Sequence, residues 1–225
     1  MTMTLTAPAC ITAIPPEAPA QCPLCPRLGA YRAANAAKEP GWFNGAVPSF
    51  GDPQARLLIV GLAPGLRGAN RTGRPFTGDF AGDLLYASLL GLGIAKGQYG
   101  AVAEDGLILH GAMITNAVRC APPANKPSPA EAANCRPFLA ARIRALPHLR
   151  AVLALGAIAH EAVLRSQGLR LGTFPFAHNG IHALPTGPWL VSSYHCSRYN
   201  TQTRRLTPEM FRTALGQAWA RANSS

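Results

Sequence analysis

Four of the six cysteines fall into two pairs, Cys22-Pro-Leu-Cys25 and Cys120 with Cys135. Ninety-four residues separate the pairs, and Ala-Pro-Pro-Ala-Asn-Lys-Pro (121–127) lies inside the second. Thiolates are soft ligands, and four of them in two such groups can close one tetrahedral site, which means zinc or an iron–sulfur cluster. An even cysteine count could also mean disulfides. A chain of 225 residues does not need such staples, and Cys-x-x-Cys pairs are better explained as ligands in a reducing cytoplasm. A centre joining residue 22 to residue 135 would tie the N-terminal arm onto the body of the fold. Cys10 and Cys196 stand outside the pattern, and Cys10 has no assignable role.

Three polar segments hold the other residues able to do chemistry. The first, 61–79, has glycines at 61, 65, 68, 73 and 78, which let a backbone approach a ligand and expose its N–H groups. It has neither the Gly-Lys-Ser/Thr of a phosphate loop nor a dinucleotide fingerprint. Within it, Phe76 could stack on a planar base or plug the core. Asp79 stands where a helix begins, so its plainest role is an N-cap. The second segment, 115–127, carries Asn116 in an otherwise apolar strand. A buried asparagine must satisfy its amide and its carbonyl, and the edge of a pyrimidine would do so. Asn125 follows two prolines in a stiff loop and could hold a water or a base, or be an ordinary turn residue. The third segment, 193–203, brings His195 to a strand end as a donor to a ligand oxygen, although five other histidines compete for that reading. Arg198, Tyr199, Asn200 and Gln202 then form a loop suited to contact or wedge into DNA.

These segments need elements to position them. Runs at 56–62, 112–118, 151–155 and 189–194 are short and almost continuously apolar, as strands buried on both faces are. Between them the pattern turns helical at 79–90 and at 158–167, the latter ending at Gly168 as a C′ residue. Ser128-Pro129-Ala130-Glu131 is a capping box opening a helix towards Leu146, which Pro137 should kink or restart. Thr207-Pro208-Glu209 opens a last helix towards Ala222. Strands alternating with helices imply one α/β domain with a parallel sheet, spanning 21–222 after a flexible lead-in over 1–20. Ligands of such sheets collect beyond the carboxyl ends of the strands, where all three polar segments fall.

The balance of 21 Lys and Arg against 10 Asp and Glu gives +11, and only Lys38, Lys96 and Lys126 are lysines. Guanidinium excess suits a polyanion, the alternative being a basic protein from an arginine-rich proteome. Arg67, Arg71, Arg74 and Arg119 are the candidates for phosphate contact. No run of about 20 apolar residues is present to span a membrane, and the uncharged first ten residues do not resemble a secretory signal.

In order, the three segments and four cysteines resemble the uracil-DNA glycosylase superfamily, most closely its family 5, the B-type iron–sulfur enzymes, from about Cys22 to Phe211. The most specific pieces are Gly-Leu-Ala-Pro-Gly (61–65) with Asn-Arg-Thr-Gly-Arg-Pro-Phe-Thr-Gly-Asp (70–79), then Val-Arg-Cys-Ala-Pro-Pro-Ala-Asn-Lys-Pro (118–127), then Ser-Tyr-His (193–195) with Asn-Thr-Gln-Thr (200–203). The resemblance implies a four-stranded parallel sheet flanked by helices, with a structural [4Fe–4S] cluster on Cys22, Cys25, Cys120 and Cys135. It implies catalytic roles for Asp79, His195 and Asn125, and base-binding roles for Phe76, Asn116, Gly61 and Ala63. Arg198, Tyr199, Arg71 and Arg74 would contact DNA. The implied enzyme is a monofunctional, monomeric DNA-repair glycosylase of the prokaryotic cytoplasm, working at the nucleoid. It would flip a deaminated base, uracil with hypoxanthine and xanthine beside it, out of double-stranded DNA and leave an abasic site. Two departures bear on substrate range. Asn116 stands where several family 5 members have a small residue and where family 4 has its uracil-reading asparagine, and Cys196 replaces the usual proline or aliphatic residue. Two rivals are a non-catalytic metal-stabilised DNA-binding domain, which leaves Asp79 and His195 without a task, and a zinc protein.

Overall fold

The computed structural model describes residues 15–185 and 187–224. Four parallel strands form the middle of one sheet: β2 (Leu57–Gly61), β5 (Ala112–Asn116), β6 (Ala151–Leu155) and β8 (Trp189–Ser193), in the order β5-β2-β6-β8. Their boundaries fall within two residues of the apolar runs. Two short antiparallel strands add edges that the hydrophobic pattern does not signal: β1 (Phe50–Gly51) beside β5, and β7 (Ile181–Ala183) beside β8. Each is too short and too exposed to show a periodicity. A separate two-residue pair, β3 (Ala95–Lys96) with β4 (Ile108–Leu109), closes an excursion over 97–107.

Every residue of β2, β5 and β6 is buried, because helices cover both faces of the sheet. Alternation along β2 divides the core: Leu57 and Ile59 pack with α3 (Phe80–Gly91) and α7 (Pro208–Asn223), whereas Leu58 and Val60 pack with α4 (Pro129–Arg144) and α5 (Ala157–Ser166). The result is a single α/β domain. The capping box of α4 closes in both directions, with Ser128 Oγ accepting from Glu131 N and Glu131 accepting from Ser128 N. Helix α4 runs through Pro137 without restarting, since a proline forfeits one helical N–H while the rest of the 16-residue helix keeps the ladder and its apolar face in register. Thr207 caps α7 by accepting from Met210 N, and Gly168 takes φ 69° just past the end of α5.

Three further helices fall outside the expected set. Helix α1 (Pro26–Lys38) follows Cys25 and buries Leu28, Arg32 and Asn35, a face too polar to announce itself. Helix α2 (Ala69–Thr72) is a single turn inside the first glycine-rich segment. Helix α6 (Arg198–Gln202) replaces the expected loop, capped by Ser197 Oγ accepting from Asn200 N at 3.4 Å. Residues 15–20 of the expected lead-in are pinned to the body through Glu17, whose carboxylate meets Arg119 and Arg142. The rest of that lead-in, with Cys10, lies outside the described residues.

Candidate active site

The parallel register puts Gly61 beside Asn116 at the carboxyl ends of β2 and β5, while His195 follows β8 by two residues. Beyond these ends opens a cleft of about 580 Å³ whose walls include Ala63, Phe76, Asp79, Asn116, Asn125 and His195. Six expected site residues, drawn from three segments, thus share one cavity. Gly61 stands behind it and is required there: a Cβ would come within 2.4 Å of Asn116 Oδ1 and 2.5 Å of the Phe76 ring.

Asn116 is 3% exposed, and its Oδ1 has no hydrogen-bond partner among the described residues. A buried carbonyl left without a donor costs about 1–3 kcal/mol, a cost that a donor brought by a ligand would remove. Phe76 is also buried and holds a left-handed backbone, φ 57°, a conformation that non-glycine residues avoid. Its ring lies 6.1 Å from that of His195 at 28°, which leaves two nearly parallel aromatic surfaces at the cleft wall. Asn125 sits in a short 3-10 turn with φ 56°, next to Ala124 at 53°, and is exposed at the rim.

Asp79 is both a cap and a cleft residue. One carboxylate oxygen, Oδ1, accepts from Gly82 N at 3.0 Å and closes the N-terminus of α3. The other lies against the 65–68 loop, where a Cβ on Gly68 would stand 2.5 Å from Oδ2; glycine there is what admits the carboxylate. Burial raises the Asp79 pKa above the ordinary carboxylate value, opposed by the backbone N–H groups of Gly82 and Ala81. Burial also lowers the His195 pKa, which favours the neutral imidazole. The ring makes no hydrogen bond among the described residues, and its main-chain carbonyl is held by Asn200 Nδ2 at 2.8 Å. Cys196 is wholly buried beneath the site, and burial pushes its thiol up to about 12, so it packs as an unreactive apolar group.

The arginines divide. Arg198 and Tyr199 lie on α6 at the edge of the cleft, with Tyr199 70% exposed and the Arg198 guanidinium 5.2 Å from the centre of the Phe80 ring. Arg67 lines the cleft, and Arg71 is half-buried beside it, donating Nε to Arg67 O. Arg74 and Arg119, read from charge as phosphate contacts, are buried instead. Arg74 is 3% exposed and forked onto Asp105 at 2.7 and 2.6 Å. Arg119 is 1% exposed and bonded to Glu17, Ser49 Oγ and Pro16 O. Neither guanidinium is free to reach DNA. Composition cannot separate such inward cations from surface ones.

The four expected metal ligands converge elsewhere, below the sheet end and behind the cleft. Cys22, Cys25, Cys120 and Cys135 are free thiols lining one small cavity, and all but Cys25 are buried. N–H groups point at the sulfurs: Arg32 Nη1 donates to Cys120 Sγ and Arg119 N to Cys135 Sγ, each at 3.3 Å, and Asn134 Nδ2 to Cys25 Sγ at 3.7 Å. Such donors are what a metal-bound thiolate attracts. Among the described residues no three His, Cys, Asp or Glu side chains are arranged to hold a single metal ion. Four thiols around one cavity are a soft donor set of the kind that zinc and iron–sulfur clusters take.

A family model described as the uracil DNA glycosylase superfamily matches residues 48–218. The chain is 48% identical over 203 residues to the type-5 uracil-DNA glycosylase of Thermus thermophilus, covering 88% of this chain and 92% of that protein. It is 44% identical over 198 residues to the protein of the same name from Mycobacterium tuberculosis, covering 84% and 74%. With the type-5 uracil-DNA glycosylase of Pyrobaculum aerophilum it shares 38% over 205 residues, covering 89% of each.

Proposed function

The chain belongs to the uracil-DNA glycosylase superfamily, and from that premise we propose how its residues divide the work. It is a DNA glycosylase, a hydrolase that excises uracil from DNA in repair. The base must leave the stack to be reached, and the cleft is where we seat it. One observation carries the assignment: the Asn116 amide, buried at the inner end of the cleft with Oδ1 unpartnered. Its oxygen would accept the ring N–H of uracil while its amide N–H meets a carbonyl. Cytosine offers an amino group and an unprotonated ring nitrogen at those positions, and would leave both polar atoms unpaired as long as the amide keeps this orientation.

With the base held so, Phe76 stacks on its face and the His195 imidazole donates to a base oxygen. The N-glycosidic bond breaks with its electron pair going to the base, and His195 stabilises that developing anion. Positive charge grows on the sugar, opposite the Asp79 carboxylate. Water adds its hydroxide to the anomeric carbon, its proton passes to solvent or to the departing base, and an abasic site remains. The Asp79 Oδ2 atom, not used in capping, orients that water and balances the cationic sugar; Asn125 at the rim holds the water or the sugar edge. Gly61 and Ala63 supply the close backbone wall. The volume of the cleft also leaves room for a second ring, so we include hypoxanthine and xanthine in the substrate range.

Cys22, Cys25, Cys120 and Cys135 would hold a [4Fe–4S] cluster. When bound it supplies a cross-link between the N-terminal arm, the end of β5 and α4, and no step of the hydrolysis needs it. Thiolate ligands fit a reducing cytoplasm. Tyr199, exposed beside the cleft, suits the gap left in a duplex by a flipped base, and Arg198, Arg71 and Arg67 suit its phosphates. All the cleft residues come from one chain, so a monomer suffices. Among the described residues no helix is long and apolar enough to cross a membrane.

The test is release of free uracil from a labelled duplex by the parent and by Asp79→Ala. Release by the parent and its loss in the variant, with duplex binding retained, are expected. Binding without release by the parent would instead support the DNA-binding-domain reading.

A further inference from the structure

Phe76 does not hold its left-handed backbone unaided. The stretch 75–78 rests on side chains from α3 and from the 97–107 excursion. Tyr86 Oη donates to Pro75 O at 2.7 Å, and Tyr99 Oη accepts from Gly78 N at 3.1 Å while lying 3.4 Å from Phe76 O. Arg74 Nε donates to Thr77 Oγ1 at 2.7 Å. The same guanidinium is fixed at its far end by Asp105, with both side chains 4% exposed, and its Nη1 also meets Ala103 O at 3.2 Å. Three rings enclose it, those of Phe50, Tyr86 and Tyr99, at 4.9, 5.3 and 5.9 Å from its central carbon. Gly82 allows the approach, because a Cβ there would fall 1.7 Å from Phe76 O.

None of these groups except Phe76 reaches the cleft, and the chemistry described above does not use them. A polar network this enclosed beneath one strained residue is what holds such strain in place. We propose that Asp105 and Tyr99 are positioning residues for base capture: through Arg74, and through Gly78 and the Phe76 carbonyl, they hold the Phe76 ring at the angle that stacks on an extruded base. The proposal rests on the reading of Phe76 as the stacking residue. It assigns the 97–107 excursion, which carries no group that touches substrate, a part in recognition. The Arg74 guanidinium holds the Asp105 carboxyl down at about 2, so the ion pair is intact at any working pH.

Positioning predicts a split between binding and chemistry. Asp79 is anchored by Gly82 N and His195 through Asn200, not by the Asp105 and Tyr99 side chains, so loss of the network should raise KM and leave kcat nearly unchanged. In steady-state assays on a uracil-containing duplex, Asp105→Asn should raise KM about tenfold and Tyr99→Phe about threefold, with kcat within about twofold of the parent. 2-Aminopurine placed next to the uracil, read at DNA and enzyme concentrations below KM, should report a matching loss of the flipped complex, and Asp105→Glu should recover part of it. The deciding arm is a double-mutant cycle with Phe76→Ala. Once the ring is gone, adding Asp105→Asn or Tyr99→Phe should change KM less than about twofold. If Phe76→Ala raises KM but the network variants do not, or if their effects add to it in full, positioning through Phe76 is wrong while the stacking reading stands. If Phe76→Ala leaves KM unchanged, the stacking reading falls and this proposal falls with it. Should Asp105→Asn fail to fold, Tyr99→Phe, which removes only a hydroxyl, carries the same test.

Discussion

The cleft and the cysteine centre stand close together in the fold, and they differ in how their charged groups are paired. Among the described residues the Asp79 carboxylate in the cleft accepts only from backbone N–H groups, whereas the carboxylates near the cysteines meet guanidinium groups. In the cleft, Asn116 Oδ1 is buried without a partner among the described residues, and Phe76 and Asn125 hold left-handed backbones. Around the cysteines, ion pairs dominate: Arg119 and Arg142 share Glu17, Arg27 forks onto Glu131, and Arg32 bridges Gln21, Cys22 O and Cys120 Sγ, although Arg119 Nε and Arg142 Nε find no partner among the described residues. A site for a ligand that comes and goes must leave donors and acceptors unsatisfied until the ligand arrives. A site for a permanent occupant can be closed over with ion pairs. Damage to the first should therefore appear as lost turnover on an intact fold, and damage to the second as a lost fold.

The largest effect expected from this contrast is at the cysteines. Cys120→Ser or Cys135→Ser should give poorly soluble, colourless protein, whereas the anaerobically purified parent should be brown with a thiolate-to-iron absorption band. A soluble, fully active variant without iron would remove the cluster assignment. Next in size is the cleft: Asp79→Ala should slow uracil release by about 10²–10⁴-fold while duplex affinity is kept. Lost capping should cost only about 0.5–2 kcal/mol of stability. If capping is its whole task, stability alone will change. His195→Ala should slow the single-turnover rate by about 10²–10³-fold, and an unchanged rate would end its leaving-group role.

Glu17 probes the sealed side from outside the segment matched by the family model. Glu17→Gln leaves the buried Arg119 without its carboxylate. We expect a loss of about 2–3 kcal/mol in denaturant unfolding, under the 3–5 of a fully buried pair because Glu17 is 31% exposed. Uracil release per folded molecule should be unchanged; a fall in kcat would blur the division between the two regions. Asn116→Ala should weaken uracil release by about 1–3 kcal/mol and hypoxanthine release by less, because the second ring restricts how a purine edge meets the amide. Equal losses on both would mean that Asn116 supports the strand end and does not read the base.

The smallest effect concerns pH. Burial raises the Asp79 pKa, so kcat/KM should fall on the acid side at a pH above the ordinary aspartate value of about 3.9, and Asp79→Asn should lack that limb. The linkage has a definite sign. A carboxyl whose folded pKa is raised binds more protons folded than unfolded, so its contribution to stability is present at low pH. That contribution is lost as pH rises from the unfolded value through the folded one. Asparagine caps as well as aspartate without that loss. Asp79→Asn should therefore be at least as stable as the parent at neutral pH while nearly inactive, which would show a charge kept for chemistry at the expense of stability.

Local order determined much of this protein. Four apolar runs mark the parallel strands to within two residues, and Ser128, Thr207 and Gly168 mark helix ends where the structure has them. The spacing of four cysteines and one asparagine in an apolar strand points to residues that the structure brings together at one cavity and one cleft. Each of these signals acts within a few residues, where periodicity, capping and burial can be read directly. Helix α1 escaped because the face it buries carries Arg32 and Asn35, so no apolar stripe exists to read. The edge strands were too short for a period, and α6 is little more than one turn of helix. The arginines were decided only by tertiary structure. Arg74 turns inward because Asp105 waits 31 residues away, and Arg119 because Glu17 lies 102 residues back. The same guanidinium on a surface would read identically in the sequence; whether it faces DNA or a buried carboxylate is set by which distant segments the fold brings together.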